Sequence, residues 1–286
     1  MKKSTQLLFL SAFCLFGFTS DKPAYKVFTG KGKETDYKTL LKEAEKSDVI
    51  FFGEFHDNPI CHWLQAELMR DLYKSKGDLL LMGAEMFEAD NQMALNEYLK
   101  GLISEKTLKD ESKIWPNYKT DYKPLLDFAR EKKLPFIATN VPRRYANLVY
   151  SKGTGILDSL ESGSKAFLPP LPFPYDPELK CYKDIFASAG GHGGENLPKS
   201  QALKDATMAH FIALNFTKGK TFLHFNGTYH SNFNEGIVWY LKKYRPELKI
   251  MVISSSLQKE LATLDKESIG SGDFIICTPE SITRTH

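Results

Sequence analysis

The sequence predicts an α/β fold, a mostly parallel sheet flanked by helices with a small helical cap subdomain. Three stretches share one order: a short apolar run of strand length, a polar turn and a helical pattern. These runs begin at Val49, Leu79 and Pro135. Apolar runs without alternation are typical of strands buried on both faces, and the repeated strand and helix predict parallel pairing. With 286 residues, 42% of them hydrophobic, the chain can bury a sizeable core.

The first of these units has the clearest boundaries. Gly53 ends its apolar run, and Asn58 followed by Pro59 is typical of a helix N-cap with proline at the first helical position. The polar turn between them lies at the carboxyl end of a buried strand, where open α/β sheets bind ligands. The elements expected here are a helix over 37–46, a strand over 49–52 and a helix over 59–73.

The remaining elements follow from the same patterns. Residues 145–196 differ, because prolines and glycines interrupt them while apolar residues persist, and we expect short helices and loops that form the cap. The other expected elements are strands over 79–85, 135–139, 221–225, 250–253 and 274–276, helices over 91–112, 125–132 and from Lys199 onward, and an aromatic loop over 113–124.

The N-terminus has the form of a secretory signal peptide. Lys2 and Lys3 precede an apolar run over 7–18, so residues 1–20 are expected to direct export and residues 21–286 to form a single domain. An uncleaved or lipidated segment is the alternative, although Phe13 directly before Cys14 makes a poor lipidation site. Without residues 1–20 the excess of Lys and Arg over Asp and Glu falls from three to one, which does not favour nucleic-acid binding.

Two turns carry the same short pattern, Gly53-Glu-Phe-His56 and Gly227-Thr-Tyr-His230, and each follows a predicted strand. Glycine lets the backbone leave the strand sharply, and the histidine three residues later can point back over the sheet. Another predicted strand ends on Glu85, where a buried carboxylate needs a partner. The residues expected to meet over one crevice are Glu54, His56, Glu85, Asn140, Arg143 and His230.

Three interpretations fit this cluster. Two neutral imidazoles and a carboxylate suit a divalent transition metal, with His56, Glu85 and His230 as ligands. The same side chains together with Glu54 suit general acid/base catalysis. A buried hydrogen-bonded cluster without chemistry is the third possibility. The coincidence of polar residues at four strand ends favours a functional site.

Several other side chains are weighed beside the cluster. His192, framed by Gly190-Gly and Gly193-Gly, is expected to act as a lid or an axial ligand, or simply to be exposed. His224 lies inside a predicted strand and is expected in the core. Tyrosine phenolates can ligate ferric haem, and Arg143 or Arg144 can pair with a propionate. The tyrosines near the expected site in sequence are Tyr122, Tyr145, Tyr182 and Tyr229.

An ordered series of motifs over roughly residues 37–253 resembles the ChaN-like haem-binding lipoproteins. The motifs are Gly53-Glu-x-His56-Asp-Asn, Gly83-x-Glu85-Met-Phe with Gln92, Tyr122-x-Pro124-Leu-Leu-x-Phe-Ala129, Asn140-x-Pro-Arg143, Gln201-Ala-Leu-x-Asp-Ala-Thr-Met-Ala209 and Gly227-x-x-His230. The resemblance implies a parallel sheet flanked by helices, haem bound between two subunits, and bacterial iron or haem acquisition at the cell envelope.

This resemblance implies haem as ligand, a homodimer on haem binding, an outer-membrane haem receptor as a partner, and a periplasmic or membrane-associated location. The candidate haem-binding residues are His56, Arg143, Tyr182, His192, Tyr229 and His230. The paired turns are also similar to those of Tiki-type proteases and erythromycin esterases. That similarity implies a hydrolase as the alternative function, with Glu54, His56, Glu85 and His230 as its catalytic residues.

Overall fold

A computed structural model describes residues 22–190 and 193–285, and in these residues eight strands form one mixed sheet of order β2-β1-β8-β7-β3-β6-β4-β5. All pairs among β3 to β8 are parallel, whereas β1 pairs antiparallel with β2 and β8. The strands are β1 Lys26–Thr29, β2 Glu34–Thr35, β3 Val49–Glu54, β4 Leu80–Glu88, β5 Phe136–Asn140, β6 Thr221–Gly227, β7 Ile250–Gln258 and β8 Phe274–Pro279. The predicted α/β class with a mostly parallel sheet is confirmed.

The helices connect successive strands. They are α1 Tyr37–Ala44, α2 Pro59–Lys76, α3 Gln92–Leu99, α4 Glu105–Glu111, α5 Lys123–Lys132, α6 Arg143–Lys152, α7 Ser162–Lys165, α8 Lys180–Ser188, α9 Asn196–Asn215 and α10 Ile237–Tyr244. The single helix predicted over 91–112 is wrong, because the chain turns at Gly101 with φ of 75° and Ser104 then caps α4. In the described part of the chain, no helix combines the length and apolar character needed to cross a membrane.

Each face of the sheet is covered by its own apolar cluster. Leu64, Leu68 and Met69 of α2 pack on one face, while α9 packs on the other. Both faces are therefore buried, which explains the continuous apolar runs in the parallel strands. The described part of 145–196 forms α6 to α8 and short turns whose apolar side chains join the second cluster. The signal peptide predicted over 1–20, Cys14 and His192 lie outside the described residues.

Strand β5 forms one edge of the sheet, and the side chain of Gln92 covers part of that edge. Its Oε1 accepts a hydrogen bond from the Ala138 amide at 2.7 Å, and its Nε2 donates to the Phe136 carbonyl at 3.0 Å. The amide side chain thus pairs with the edge as a neighbouring strand would.

We expect Gln92→Ala to lower the free energy of unfolding by about 1–3 kcal/mol, because the Ala138 amide would lose its partner in a buried position. Urea unfolding followed by circular dichroism measures this change. Gln92→Glu keeps the acceptor for Ala138 but places a carboxylate oxygen against the Phe136 carbonyl, so it should also be less stable than the wild type. Equal stability of wild type and Gln92→Ala would contradict the assigned edge pairing.

Candidate functional site

The two glycine-containing turns lie side by side at the carboxyl ends of β3 and β6, where Glu54 is paired with Gly227. A Cβ atom added to Gly53 would lie 2.9 Å from the Thr228 Cα, and one added to Gly227 would lie 2.9 Å from Nε2 of His56. Neither glycine has a positive φ. The glycines are therefore required for close approach of the turns, and not for the sharp exit from the strand expected from the sequence.

Glu54 is buried and holds the histidine of its own turn. Its Oε1 accepts hydrogen bonds from Nδ1 of His56 at 2.8 Å and from the Tyr122 hydroxyl at 2.7 Å, and its Oε2 accepts one from Gln65. Burial alone would raise the pKa of Glu54, but His56 and the other donors outweigh it and lower that pKa. Burial likewise opposes the charge on His56, yet Glu54 and Glu85 raise its pKa.

His230, in the second turn, is buried between two carboxylates. Its Nδ1 bonds to Asp205 of α9, and its Nε2 lies 3.3 Å from Oε1 of Glu85. Asp205 also accepts the Tyr182 hydroxyl at 2.8 Å, and Glu85 accepts the Gly227 amide at 2.8 Å. Both ring nitrogens of His230 are thereby engaged inside the protein.

The two carboxylates set the charge of His230. Burial would lower the pKa of this imidazole, but Glu85 and Asp205 outweigh burial and raise it to about 10. In return, His230 holds the pKa of Glu85 well below its usual range despite burial. For Asp205 burial prevails, and its pKa is raised. At neutral pH His230 is therefore an imidazolium.

His62 of α2 and the loop before α5 support the first turn from outside. Nε2 of His62 and Nδ2 of Asn117 lie 3.0 and 2.8 Å from the main-chain oxygen of His56. The Asn117 amide also donates to Asp121 at 2.7 Å. The indole of Trp115 meets the His56 imidazole edge to face, with ring centres 4.8 Å apart. These contacts fix the backbone and one side of the His56 ring.

The C-terminal residues contact the same turn. Arg284 donates to the Asp57 carboxylate at 2.6 Å, and the Thr285 amide donates to the Asp57 carbonyl at 3.0 Å. The Thr285 hydroxyl reaches the buried Asp121 at 2.9 Å. The chain end therefore closes the outer side of the turn that carries His56.

A crevice of about 670 Å³ opens over both turns. Phe55, Trp115 and Tyr150 contribute aromatic surface, and Tyr229, with 59% of its surface exposed, lies at the same crevice. The polar side chains expected there from the sequence all line it; they are Glu54, His56, Glu85, Asn140, Arg143 and His230.

The other predicted residues are placed differently. Tyr182 does not line the crevice, since its ring is buried and its hydroxyl is bonded to Asp205. His224 is fully buried in the core, as expected, and burial lowers its pKa to about 4. Asp205, Gln65 and Asn117 were not identified as site residues from the sequence. Asp205 lies within the α9 motif of the resemblance, but no local pattern indicates that it contacts the histidine of the turn after β6.

The predicted metal ligand set is not supported by this geometry. His56, Glu85 and His230 lie at one crevice, but His230 has both ring nitrogens engaged by carboxylates and one nitrogen of His56 is engaged by Glu54. Among residues 22–190 and 193–285, no group of three or more His, Cys, Asp or Glu side chains has an arrangement that could hold a metal ion.

The raised pKa of His230 predicts a pH-dependent stability. A histidine with an unfolded pKa near 6.5 and a folded pKa of about 10 stabilises the fold fully below pH 6.5 and loses that contribution as the pH rises toward 10. We expect the free energy of unfolding to fall by about 1.4 kcal/mol per pH unit between roughly pH 7 and 9, for one linked proton. Urea unfolding at several pH values measures the slope.

Gln92→Ala provides the control for this slope, because it destabilises a distant edge without touching the charged cluster. It should lower stability by a similar amount at each pH. A flat pH dependence of the wild type over this range would mean that His230 is neutral in the folded state.

The fold is similar to those of other proteins of known structure. One of them is ChaN of Campylobacter jejuni, in a structure that describes cofacial haem binding, and its sequence is 18% identical to this chain. The match covers 88% of this chain and 96% of that chain, with a TM-score of 0.67. A Bacillus cereus protein is 11% identical, with 85% and 90% covered and a TM-score of 0.51. At these identities the similarity establishes the fold alone.

Among curated proteins, no sequence matches this chain. The family model described as "Haem-binding uptake, Tiki superfamily, ChaN" matches residues 40–241, well over half of the chain. The protein therefore belongs to the ChaN family of haem-binding uptake proteins in the Tiki superfamily.

Proposed function

We propose that this protein binds haem in the crevice at the carboxyl ends of β3 and β6. The observation that carries the proposal is the state of the possible iron ligands. Nε2 of His56 and the hydroxyl of Tyr229 have no hydrogen-bond partner among the described residues and lie at the crevice, whereas His230 and Tyr182 are engaged elsewhere. Imidazole and phenolate are both established ligands of haem iron.

The rest of the crevice suits the other parts of haem. Its volume lies within the ordinary range for small-molecule sites, and its aromatic side chains offer flat apolar surface to a porphyrin. Arg143 is more than half exposed, and its Nε lies 4.0 Å from Glu88, so its guanidinium has donors left for a propionate. Lys204 lines the crevice without an ion-pair partner among the described residues and is suited to the second propionate.

In this proposal, the buried carboxylates orient the histidine rings. Glu54 accepts hydrogen bonds from three side chains, His56, Tyr122 and Gln65, which leaves it poorly suited to take a proton from water. This saturation argues against the alternative in which Glu54 is the base of a hydrolase. Glu54 instead fixes the ring of His56 with Nε2 directed away from Glu54.

The same proposal extends to the biological setting. We infer export from the leader pattern over residues 1–20, and a role in iron or haem acquisition from the uptake function named for the family. Haem would reach the protein from, or pass to, an outer-membrane haem receptor. The cofacial haem binding of the Campylobacter protein suggests that this chain forms a homodimer when it binds haem.

Titration of haemin into the purified protein, followed by the Soret absorbance, tests the ligand assignment. We expect saturable binding, weakened by about tenfold or more in His56→Ala and in Tyr229→Phe, because each change removes an iron-ligating group. Tyr244→Phe is the matched control, since it removes a tyrosine hydroxyl that does not line the crevice and has no hydrogen-bond partner among the described residues. Equal loss of affinity in Tyr244→Phe and in Tyr229→Phe would contradict the assignment, and absence of saturable binding would contradict the function.

Sedimentation velocity with and without haemin tests the dimer. We expect a monomer without haemin and a dimer at one haem per chain, because each haem face left exposed by the open crevice would be covered by the partner. Tyr244→Phe should dimerise normally, whereas His56→Ala should remain monomeric at the same haemin concentration. A sedimentation coefficient unaffected by haemin would exclude haem-dependent dimerisation.

A further inference from the structure

The amino ends of the parallel strands form the edge of the sheet opposite the crevice, and this edge is basic. All six parallel strands begin at this edge, so the loops that precede them lie together. The loops 130–135, 215–220 and 242–249 precede β5, β6 and β7 and contain nine Lys and Arg and two acidic residues. The segments that lead into β3, β4 and β8 add Asp48, Asp78 and Asp273, so the positive charge is concentrated from β7 to β5. The strands from β7 to β5 span roughly 19 Å at about 4.8 Å per strand. We name this side of the molecule the amino-edge surface.

Many of the cations on the amino-edge surface are unpaired. None of the following six forms an ion pair within residues 22–190 and 193–285: Lys100, Arg130, Lys133, Lys218, Lys220 and Lys249. Lys100, Arg130 and Lys133 line a common cavity of about 700 Å³ beside the start of β5. Several helices end at this edge, and the partial negative charge at their C-termini favours some of these cations. The helix ends do not explain the apolar side chains that lie beside the cations.

Three leucines are exposed among these cations. Leu79 immediately precedes β4 and has 49% of its surface exposed, Leu102 lies two residues after Lys100 with 72% exposed, and Leu214 lies near the end of α9 with 64% exposed. Large aliphatic side chains gain nothing from a helix dipole or from water. Their position within a basic surface is a combination that suits a partner with both negative charge and an apolar interior.

We propose that the amino-edge surface docks on an anionic lipid bilayer. The lysines and arginine would lie among the lipid phosphates, and the leucines would enter the boundary between headgroups and acyl chains. A nucleic acid would satisfy the cations but would leave the leucines in water. The inference does not depend on haem binding, and it gives the molecule an orientation in which the crevice faces away from the membrane.

Co-sedimentation with sucrose-loaded vesicles tests this proposal. Residues 22–286 contain every element of the sheet and both apolar clusters, and this length avoids binding through the apolar N-terminal run. We expect binding to vesicles with about one-third phosphatidylglycerol, weak binding to pure phosphatidylcholine, and release by salt. The combined change Lys133→Glu, Lys218→Glu and Lys249→Glu should weaken binding by about tenfold or more.

A second triple variant separates the surface from net charge. Lys113→Glu, Lys119→Glu and Lys259→Glu alters net charge equally, but these exposed lysines follow α4 or β7 or lie beside Trp115, on the crevice side. It should bind vesicles nearly as the wild type does. Leu102→Ser with Leu214→Ser should weaken binding while leaving its salt dependence unchanged.

Four results would overturn the proposal. They are no binding to anionic vesicles, equal binding to phosphatidylcholine, an equal loss in the two triple variants, and unaltered binding after the leucine changes. Duplex DNA bound as tightly as the anionic vesicles, and insensitive to the leucine changes, would identify a soluble polyanion as the partner instead. Circular dichroism of each variant confirms that the fold is retained.

Discussion

The pairing of buried charges at the carboxyl edge of the sheet is the constraint on which the site depends. His230, Glu85 and Asp205 are all nearly inaccessible to water, and a single buried charge there would be strongly destabilising. The imidazolium between two carboxylates resolves this by joining β4, the turn after β6 and α9. A second pair, Glu54 with His56, links β3 to the loop before α5 through Tyr122. The floor of the crevice therefore holds its histidines against carboxylates, and of these two rings only that of His56 has a nitrogen without a hydrogen-bond partner among the described residues.

Much of the sheet was predictable because buried parallel strands carry a continuous apolar signal. Strands β1 and β2 were not predicted, since they have four and two residues and form an antiparallel edge without a long apolar run. The break between α3 and α4 had a signal in the sequence, Gly101 followed by Ser104 as an N-cap, which the helical periodicity of 91–112 obscured. Helix α10 was not predicted; it is short and directly follows the irregular turns after His230.

The candidate site was predictable only in part. Residues in the turns after strands could be identified, because parallel strands bring their carboxyl ends to one edge. The partners Asp205 and Tyr122 come from helical segments distant in sequence, and only the packed fold brings them to the histidines. The two histidines also have the same local pattern, yet 37% of the His56 side chain is exposed and only 8% of that of His230. Their difference in charge and availability arises from neighbours that no local motif contains.

The close approach of the two turns has a consequence for how this sequence can vary. Gly53 is confined by Thr228, and Gly227 by the ring of His56, so each turn occupies the space that a side chain on the other would need. Substitutions at the two positions would therefore not act independently, since a shift that accommodates one also changes the room at the other. The distance between the backbones of the two turns therefore determines which side chains Gly53 and Gly227 could be replaced by. In a library of variants, we would look for compensating changes in the opposite turn before any change in the histidines themselves.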